Sequence, residues 1–356
     1  MLRVDLSRQK IVKAPLEKEL AVDFLGARGV NAKILYSELA PGTHPLGDKN
    51  ILIFGTGPLT GTFAPSCSRF TVTCKSPATG LYLKTTCGGH WAAELKYAGY
   101  DTIILYGKSD RPVYLWIDDE EVELRDASHM WGMDVRKTDR TIKKDVGDDQ
   151  VKTVTIGPAG ENLVRFASIM SCVYRAAGRG GAGAVMGSKG LKAIAIRGTG
   201  AVKVADPESF RECVDYVRKN KIMGNEGSRA RLDWETKHSY GTGRSVESIN
   251  EIGSFPVRNF QTSYTPQAHK ISGQYLSERG YLVGTEACFS CPMGCGRFTV
   301  VLNGPYSGTY CGGPEYETLN ALGARCENYE MNTIIKANEL CNIYGLDTIS
   351  TGASIA

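Results

Sequence analysis

Between residues 50 and 200 the apolar side chains arrive in short runs, and most of those runs stop at Gly, Pro or Asp. Runs 51–54, 70–73, 102–105, 113–117, 151–156 and 191–196 are rich in β-branched, aromatic and aliphatic residues, and a length of about four to six residues suits strands. None approaches the roughly 20 residues needed to span a bilayer, so no membrane association is expected. Stretches with helical spacing lie between them: 90–98, with Trp91, Leu95 and Ala98 on one face, and 135–146, with a basic outer face. Strands and helices do not alternate regularly, which argues against one doubly wound parallel sheet. The fold class expected is α+β.

At Asp206-Pro207-Glu208 the texture changes to a helix start, followed by Phe210, Cys213, Val214 and Val217 at helical spacing. A β-rich domain over 1–203 and a mainly helical one over 204–356 are expected. Residues 224–263 are polar and glycine-bearing and are expected to form loops around short helices. Segments 314–324 and 329–344 are expected to be helices, with Gly345-Leu346-Asp347 as a stop and a new start. The 356 residues, 42% hydrophobic and 22% charged, suffice for one large or two medium domains. A net charge of +4 with interleaved signs gives no support to nucleic-acid binding. Eleven cysteines form no even disulfide set, and no apolar signal segment follows Met1, so a reducing cytoplasm is expected.

Cys288-Phe-Ser-Cys291-Pro-Met-Gly-Cys295 places three thiols in one compact turn. Thiolates are soft anionic donors suited to an iron–sulfur cluster or to zinc, and the spacing alone leaves both open. Downstream, Cys326 and Cys341 fall on expected helices as plain buried cysteines, whereas Cys311 sits among glycines and is the one flexible candidate for a fourth ligand.

Residues 175–189, Arg-Ala-Ala-Gly-Arg-Gly-Gly-Ala-Gly-Ala-Val-Met-Gly-Ser-Lys, put two guanidiniums and a lysine around an unobstructed backbone. Such a loop suits a phosphate or pyrophosphate; the plainer reading is a glycine-rich turn that packs elements closely. Gly178-x-Gly180-x-x-Gly183 matches the dinucleotide fingerprint in letters, but no clear strand precedes it and the next acidic residue is Asp206. A second candidate is Thr86-Cys87-Gly88-Gly89, which opens the 90–98 helix with Arg69 upstream.

Taken in order, Gly57-Pro58-Leu59-Thr60-Gly61-Thr62, Lys75-Ser76-Pro77, Glu94-Leu95-Lys96-Tyr97-Ala98-Gly99-Tyr100-Asp101, Ile156-Gly157-Pro158-Ala159-Gly160-Glu161-Asn162, residues 175–193, Phe255-Pro256-Val257, Asn259-Phe260-Gln261-Thr262, the cysteine turn, Gly313-Pro314-Glu315-Tyr316-Glu317 and residues 345–350 resemble the aldehyde ferredoxin oxidoreductase family. The resemblance covers essentially the whole chain. It implies a β-rich first domain of two packed sheets on which two molybdopterin-type dithiolenes hold tungsten or molybdenum, with helical domains following. By position it implies cofactor binding by Arg69, Thr86, Cys87, Gly88, Gly89, Arg175, Ala176, Gly178, Asn342, Gly345, Leu346 and Asp347. It also implies a [4Fe–4S] cluster on Cys288, Cys291 and Cys295. Glu317 matches a pocket carboxylate that would handle a proton. The implied reaction oxidises an aldehyde to a carboxylic acid and passes electrons through the cluster to ferredoxin.

Some positions depart from the family pattern. Asn342 stands where an acid is expected, Lys336-Ala-Asn-Glu339 replaces a Glu-x-x-His pair, and Thr86 stands where Asn can hold magnesium. The family extends past residue 356, so a fourth cluster ligand, the rest of the pocket, a companion polypeptide or a homo-oligomer is expected beyond these residues. The alternatives are a relative with another substrate, such as aromatic-ring reduction, and a non-catalytic cluster- or zinc-binding fragment.

Overall fold

A computed structural model describes residues 1–356. The chain forms two compact units, Met1–Lys203 with Ile343–Leu346, and Val204–Asn342 with Asp347–Ala356.

In the first unit, β1 (Leu2–Asp5), β2 (Lys10–Lys13), β3 (Leu52–Thr56), β4 (Phe70–Lys75), β5 (Tyr82–Cys87) and β6 (Thr102–Tyr106) form a sheet in the order β2-β1-β6-β3-β4-β5. A second sheet holds β7 (Val113–Asp118), β8 (Glu121–Asp126), β9 (Lys152–Thr155), β10 (Ile169–Ser171), β11 (Arg175–Ala177) and β12 (Leu191–Arg197), in the order β11-β10-β9-β12-β7-β8. Only β1 with β6 and β12 with β7 pair in parallel; the other neighbours are antiparallel.

The two sheets share one core, because strand side chains alternate between faces. Leu2, Val4, Leu52, Phe54, Phe70 and Val72 from the first sheet meet Leu115, Ile117, Val154, Ile194 and Ile196 from the second. The helix Trp91–Tyr97 lies between them, with Trp91 4.7 Å from the Phe70 ring and its indole N–H donating to the Ile194 carbonyl at 3.4 Å. Each such fully buried side chain contributes about 1.5–3 kcal/mol. The alternate positions face outward onto helices: Ile53 and Ile104 onto Ala27–Glu38, and Tyr114, Trp116, Ala193 and Ala195 onto Val135–Val146. The latter helix starts where Asp134 accepts from the Lys137 N–H at 2.8 Å and stops at Gly147, φ +78°.

The second unit is mainly helical. Asp206 caps the helix Pro207–Tyr216 by accepting from the Ser209 N–H at 3.1 Å. The stretch expected to be loops around short helices instead contains the 12-residue helix Arg229–Tyr240. It buries none of its residues, so no apolar period announces it, and the Ser228 cap is its one local signal. Further helices are Val246–Glu251, Gly273–Glu278, Tyr316–Ala321, Met331–Tyr344 and Thr348–Ile355. A small antiparallel sheet of β13 (Leu282–Glu286), β14 (Gly296–Val300) and β15 (Tyr310–Gly312) flanks the cysteine turn. No helix is long and apolar enough to cross a membrane.

Candidate cofactor cradle and cysteine turn

Three segments expected to bind a cofactor meet in the first unit. Register places Phe70 opposite Cys87 and Thr71 opposite Thr86, so Arg69 at the head of β4 reaches the end of β5 and donates to the Thr86 hydroxyl at 3.3 Å. Gly89 follows with φ +106°, and a Cβ there would stand 3.2 Å from the Cδ of Arg175. Glycine at this position keeps the 86–89 turn and the Arg175 side chain in contact without strain. Cys87 points the other way, into the core between the sheets. Arg175 and the exposed Ala176 sit on β11, reached through a hairpin in which Cys172 (φ +47°) and Val173 (φ +73°) are both left-handed. That conformation costs a non-glycine residue roughly 1–2 kcal/mol, and such strain collects where a loop must present a side chain.

Ser168 joins two further segments. Its hydroxyl donates to the Gly178 carbonyl at 3.0 Å, and its backbone N–H donates to the Gly345 carbonyl at 2.8 Å. Ala167 bridges to Leu346 alongside, and Gly345, φ +74°, lies against Gly157. Asn342 and Asp347 belong to the second unit. There the Asn342 amide donates to the Gly312 carbonyl at 3.4 Å, and Asp347 caps Thr348–Ile355 through the N–H groups of Ile349 and Ser350.

Much of the glycine-rich segment serves close packing. The helix Ala182–Ser188 is buried almost throughout; a Cβ on Gly187 would stand 2.0 Å from the Gly160 carbonyl oxygen, and one on Gly183 2.5 Å from that of Ser168. Lys189, read as part of a phosphate loop, is fully buried: its ammonium donates to the carbonyls of Asp48 (3.3 Å), Gly107 (2.9 Å) and Asn50. Burial pulls its pKa down to about 8. A strand, β11, does precede the glycine fingerprint, but it is one arm of an antiparallel hairpin. The next strand, β12, pairs antiparallel to β9, so no βαβ unit is present there and the dinucleotide reading falls.

In the second unit the cysteine turn spans the gap between β13 and β14, with Cys288, Cys291 and Cys295 all half-buried and free of disulfides. The Cys291 N–H donates to the Cys288 carbonyl at 3.0 Å, and Ser290 and Gly294 have φ +52°. Side chains distant in sequence hold the turn. Arg218 donates to the Ser290 hydroxyl at 2.9 Å, the Trp234 indole donates to the Pro292 carbonyl at 2.9 Å, and His238 Nδ1 lies 3.2 Å from the Met293 carbonyl. Arg297, 3% exposed, donates to the carbonyls of His238 (2.7 Å), Ser239 (2.8 Å), Cys295 (3.3 Å) and Gly294. Sequence reading missed all four of these residues, since only Arg297 adjoins the motif. No group of three or more His, Cys, Asp or Glu side chains forms a ready-made metal cage.

Cys311 lies on β15 rather than in a flexible loop. It is fully buried and accepts from the Asn338 amide at 3.2 Å, which removes it as an adaptable fourth ligand. Cys326 donates to the carbonyls of Ala321 and Gly352 at 3.2 and 3.4 Å, and burial pushes the Cys341 thiol up to about 11. Cys341 is the buried helical cysteine expected, whereas Cys326 is only half-buried and closes the short 3-10 turn Ala324–Cys326. Glu317, expected to be partly desolvated, is exposed in the first turn of Tyr316–Ala321. Its neighbour Glu315 is half-buried and accepts from the Thr242 hydroxyl at 2.5 Å.

Residues 1–198 match the family model described as the aldehyde ferredoxin oxidoreductase N-terminal domain, and residues 221–356 match that for domains 2 and 3 of the same proteins. The chain belongs to the aldehyde ferredoxin oxidoreductase family. The tungsten-containing aldehyde ferredoxin oxidoreductase of Pyrococcus furiosus is 46% identical over 359 residues, covering 100% of this chain and 57% of the relative. The aliphatic sulfonate oxidoreductase WOR-like subunit of the same organism is 34% identical, covering 99% of this chain and 57% of the relative. Among solved structures, the active-site complex of benzoyl coenzyme A reductase with 1,5-dienoyl-coenzyme A aligns with a TM-score of 0.80 at 32% identity, over 99% of this chain and 53% of that one. The chain thus spans somewhat over half the length of each of these relatives, the first two of which are named oxidoreductases.

Proposed function

We propose that this chain is the cofactor-binding portion of an enzyme that oxidises aldehydes to carboxylic acids, using tungsten or molybdenum held by two molybdopterin-type dithiolenes. Electrons leave through a [4Fe–4S] cluster on Cys288, Cys291 and Cys295 to ferredoxin. The observation that carries the reading is the meeting of Arg69, the 86–89 turn and Arg175 around a glycine that no larger residue could replace without displacing the arginine.

The residues present fit such a group. Two guanidiniums beside an open glycine turn suit pterin phosphates, which take bidentate, charge-assisted hydrogen bonds. Three thiols in one turn would supply three of the four thiolates that an iron–sulfur cubane takes. Bound there, the metal would supply a two-electron redox centre and the cluster a one-electron exit.

The chain's own residues would do the gripping. Arg69 and Arg175 hold phosphate oxygens, while Gly88, Gly89 and Ala176 allow close approach. Gly178 and Gly345–Leu346 present backbone groups fixed by Ser168 and Ala167. In the second unit Asn342 offers an amide in place of an anion, and Asp347 is occupied as a helix cap. The Thr86 hydroxyl already accepts from Arg69, so magnesium is left unassigned. Glu317, exposed on this chain, would accept the proton released when water is consumed in the oxidation.

A second reading keeps the same machinery with another substrate. It is favoured by the sulfonate and benzoyl coenzyme A relatives, each of which matches 99% of this chain. Dye reduction by anaerobically purified protein, driven in turn by an aldehyde, a sulfonate and 1,5-dienoyl coenzyme A, whose oxidation to the aromatic thioester releases two electrons, separates them. Aldehyde-dependent reduction supports the first reading, and reduction with either other compound alone supports the second.

A further inference from the structure

Arg297 is a buried cation whose guanidinium makes its hydrogen bonds to four backbone carbonyls, two from the cysteine turn and two from the end of Arg229–Tyr240. Desolvation holds its pKa below the usual arginine value, against the opposing pull of Glu315 and Cys295. Burying a guanidinium is expensive unless an opposite charge accompanies it. Helix-end carbonyls supply part of that charge, and Cys295, whose carbonyl it binds, supplies more once its thiol is a thiolate.

We propose that Arg297 is the counter-charge and positioning residue of the cysteine turn: it fixes the Gly294–Cys295 backbone and, by its charge, favours the more negative state of whatever metal cluster the thiolates hold. This rests on the cluster assigned under the proposed function. Gain of one electron makes such a cluster more negative by one unit, so a fixed positive charge alongside raises its reduction potential. Burial strengthens the effect, because the intervening medium screens weakly.

The test uses anaerobically purified holoprotein and two variants, Arg297→Lys and Arg297→Gln. Iron and acid-labile sulfide are measured during chelator challenge, and the midpoint potential of the cluster is followed by EPR in a dithionite titration. The expected order is wild type, then Lys, then Gln, both for iron retention and for potential, with Gln the most negative. An ammonium cannot span four carbonyls, so Lys falls between the other two. If the Gln variant does not fold, the Lys variant decides, by a shorter iron half-life and a lowered potential. Either variant with wild-type iron retention and wild-type potential overturns the proposal. Wild-type protein without iron removes the cluster assignment itself, and this inference with it.

Discussion

The backbone N–H of Ser168 donates to the carbonyl of Gly345 at 2.8 Å, tying the loop after Met331–Tyr344 to the strand that leads into the Arg175 hairpin. The same serine's hydroxyl fixes Gly178, so one buried residue sets two of the segments assigned to the cofactor. Replacing it by alanine leaves the Gly178 carbonyl without its donor. Ser168→Ala is expected to lower stability by about 1–3 kcal/mol and to release pterin faster, measured by denaturant unfolding and by pterin content after dialysis.

Gly89→Ala forces a side chain into a left-handed position 3.2 Å from Arg175. The backbone penalty is about 1–2 kcal/mol, but the larger expected effect is on the cofactor, because Arg175 must move. Pterin and tungsten content are expected to fall several-fold while the melting temperature drops by only a few degrees.

Gly187→Ala is expected to behave in the opposite way. Its Cβ would lie 2.0 Å from the Gly160 carbonyl oxygen inside a buried helix contact, so overpacking of at least about 1–3 kcal/mol is expected. Thermal unfolding is the measurement, with cofactor loss following the loss of fold.

Lys189 predicts a pH dependence. Its folded pKa of about 8 lies below the ordinary lysine value of 10.5, so the unfolded chain binds the extra proton in between, and the contribution to stability rises as pH increases from about 8. Cys74, pushed up to about 12 by burial, works in the opposite direction above its ordinary value of 9.0, so the rise is sought between pH 8 and 9. Lys189→Met is expected to flatten the rise there, and to cost about 3 kcal/mol or more by leaving three buried carbonyls without a donor. Urea unfolding at pH 8 and 9 checks both.

Glu315 and Glu317 separate structure from chemistry. Glu315→Gln weakens the bond from Thr242 and is expected to lower the melting temperature. Glu317→Gln, at an exposed position, is expected to leave it unchanged and to reduce aldehyde turnover by about 10²–10⁴ if the carboxylate acts as a base. Parallel melting and turnover measurements decide between the roles.

Strands β3, β4, β6, β7, β9 and β12 were legible because β-branched, aromatic and aliphatic residues dominate the runs around them, and all six are buried on both faces. β2 and β11 were not: Lys10–Lys13 is mostly exposed, and Arg175–Ala177 is three residues held only by its hairpin partner. The helix Arg229–Tyr240 carries no buried face to read. Among site residues, glycines and cysteines announce themselves by type, but Lys189 and Cys311 look the same in sequence whether they line a loop or fill a core. Trp234, His238 and Arg218 grip the cysteine turn from more than 50 positions away, and no local pattern encodes that.

The most direct test of the account is elemental analysis of anaerobically purified protein for tungsten, molybdenum, iron and zinc, with pterin fluorescence after oxidative release. Tungsten or molybdenum together with pterin and iron is the predicted result. Zinc alone, or no metal and no pterin, would contradict it.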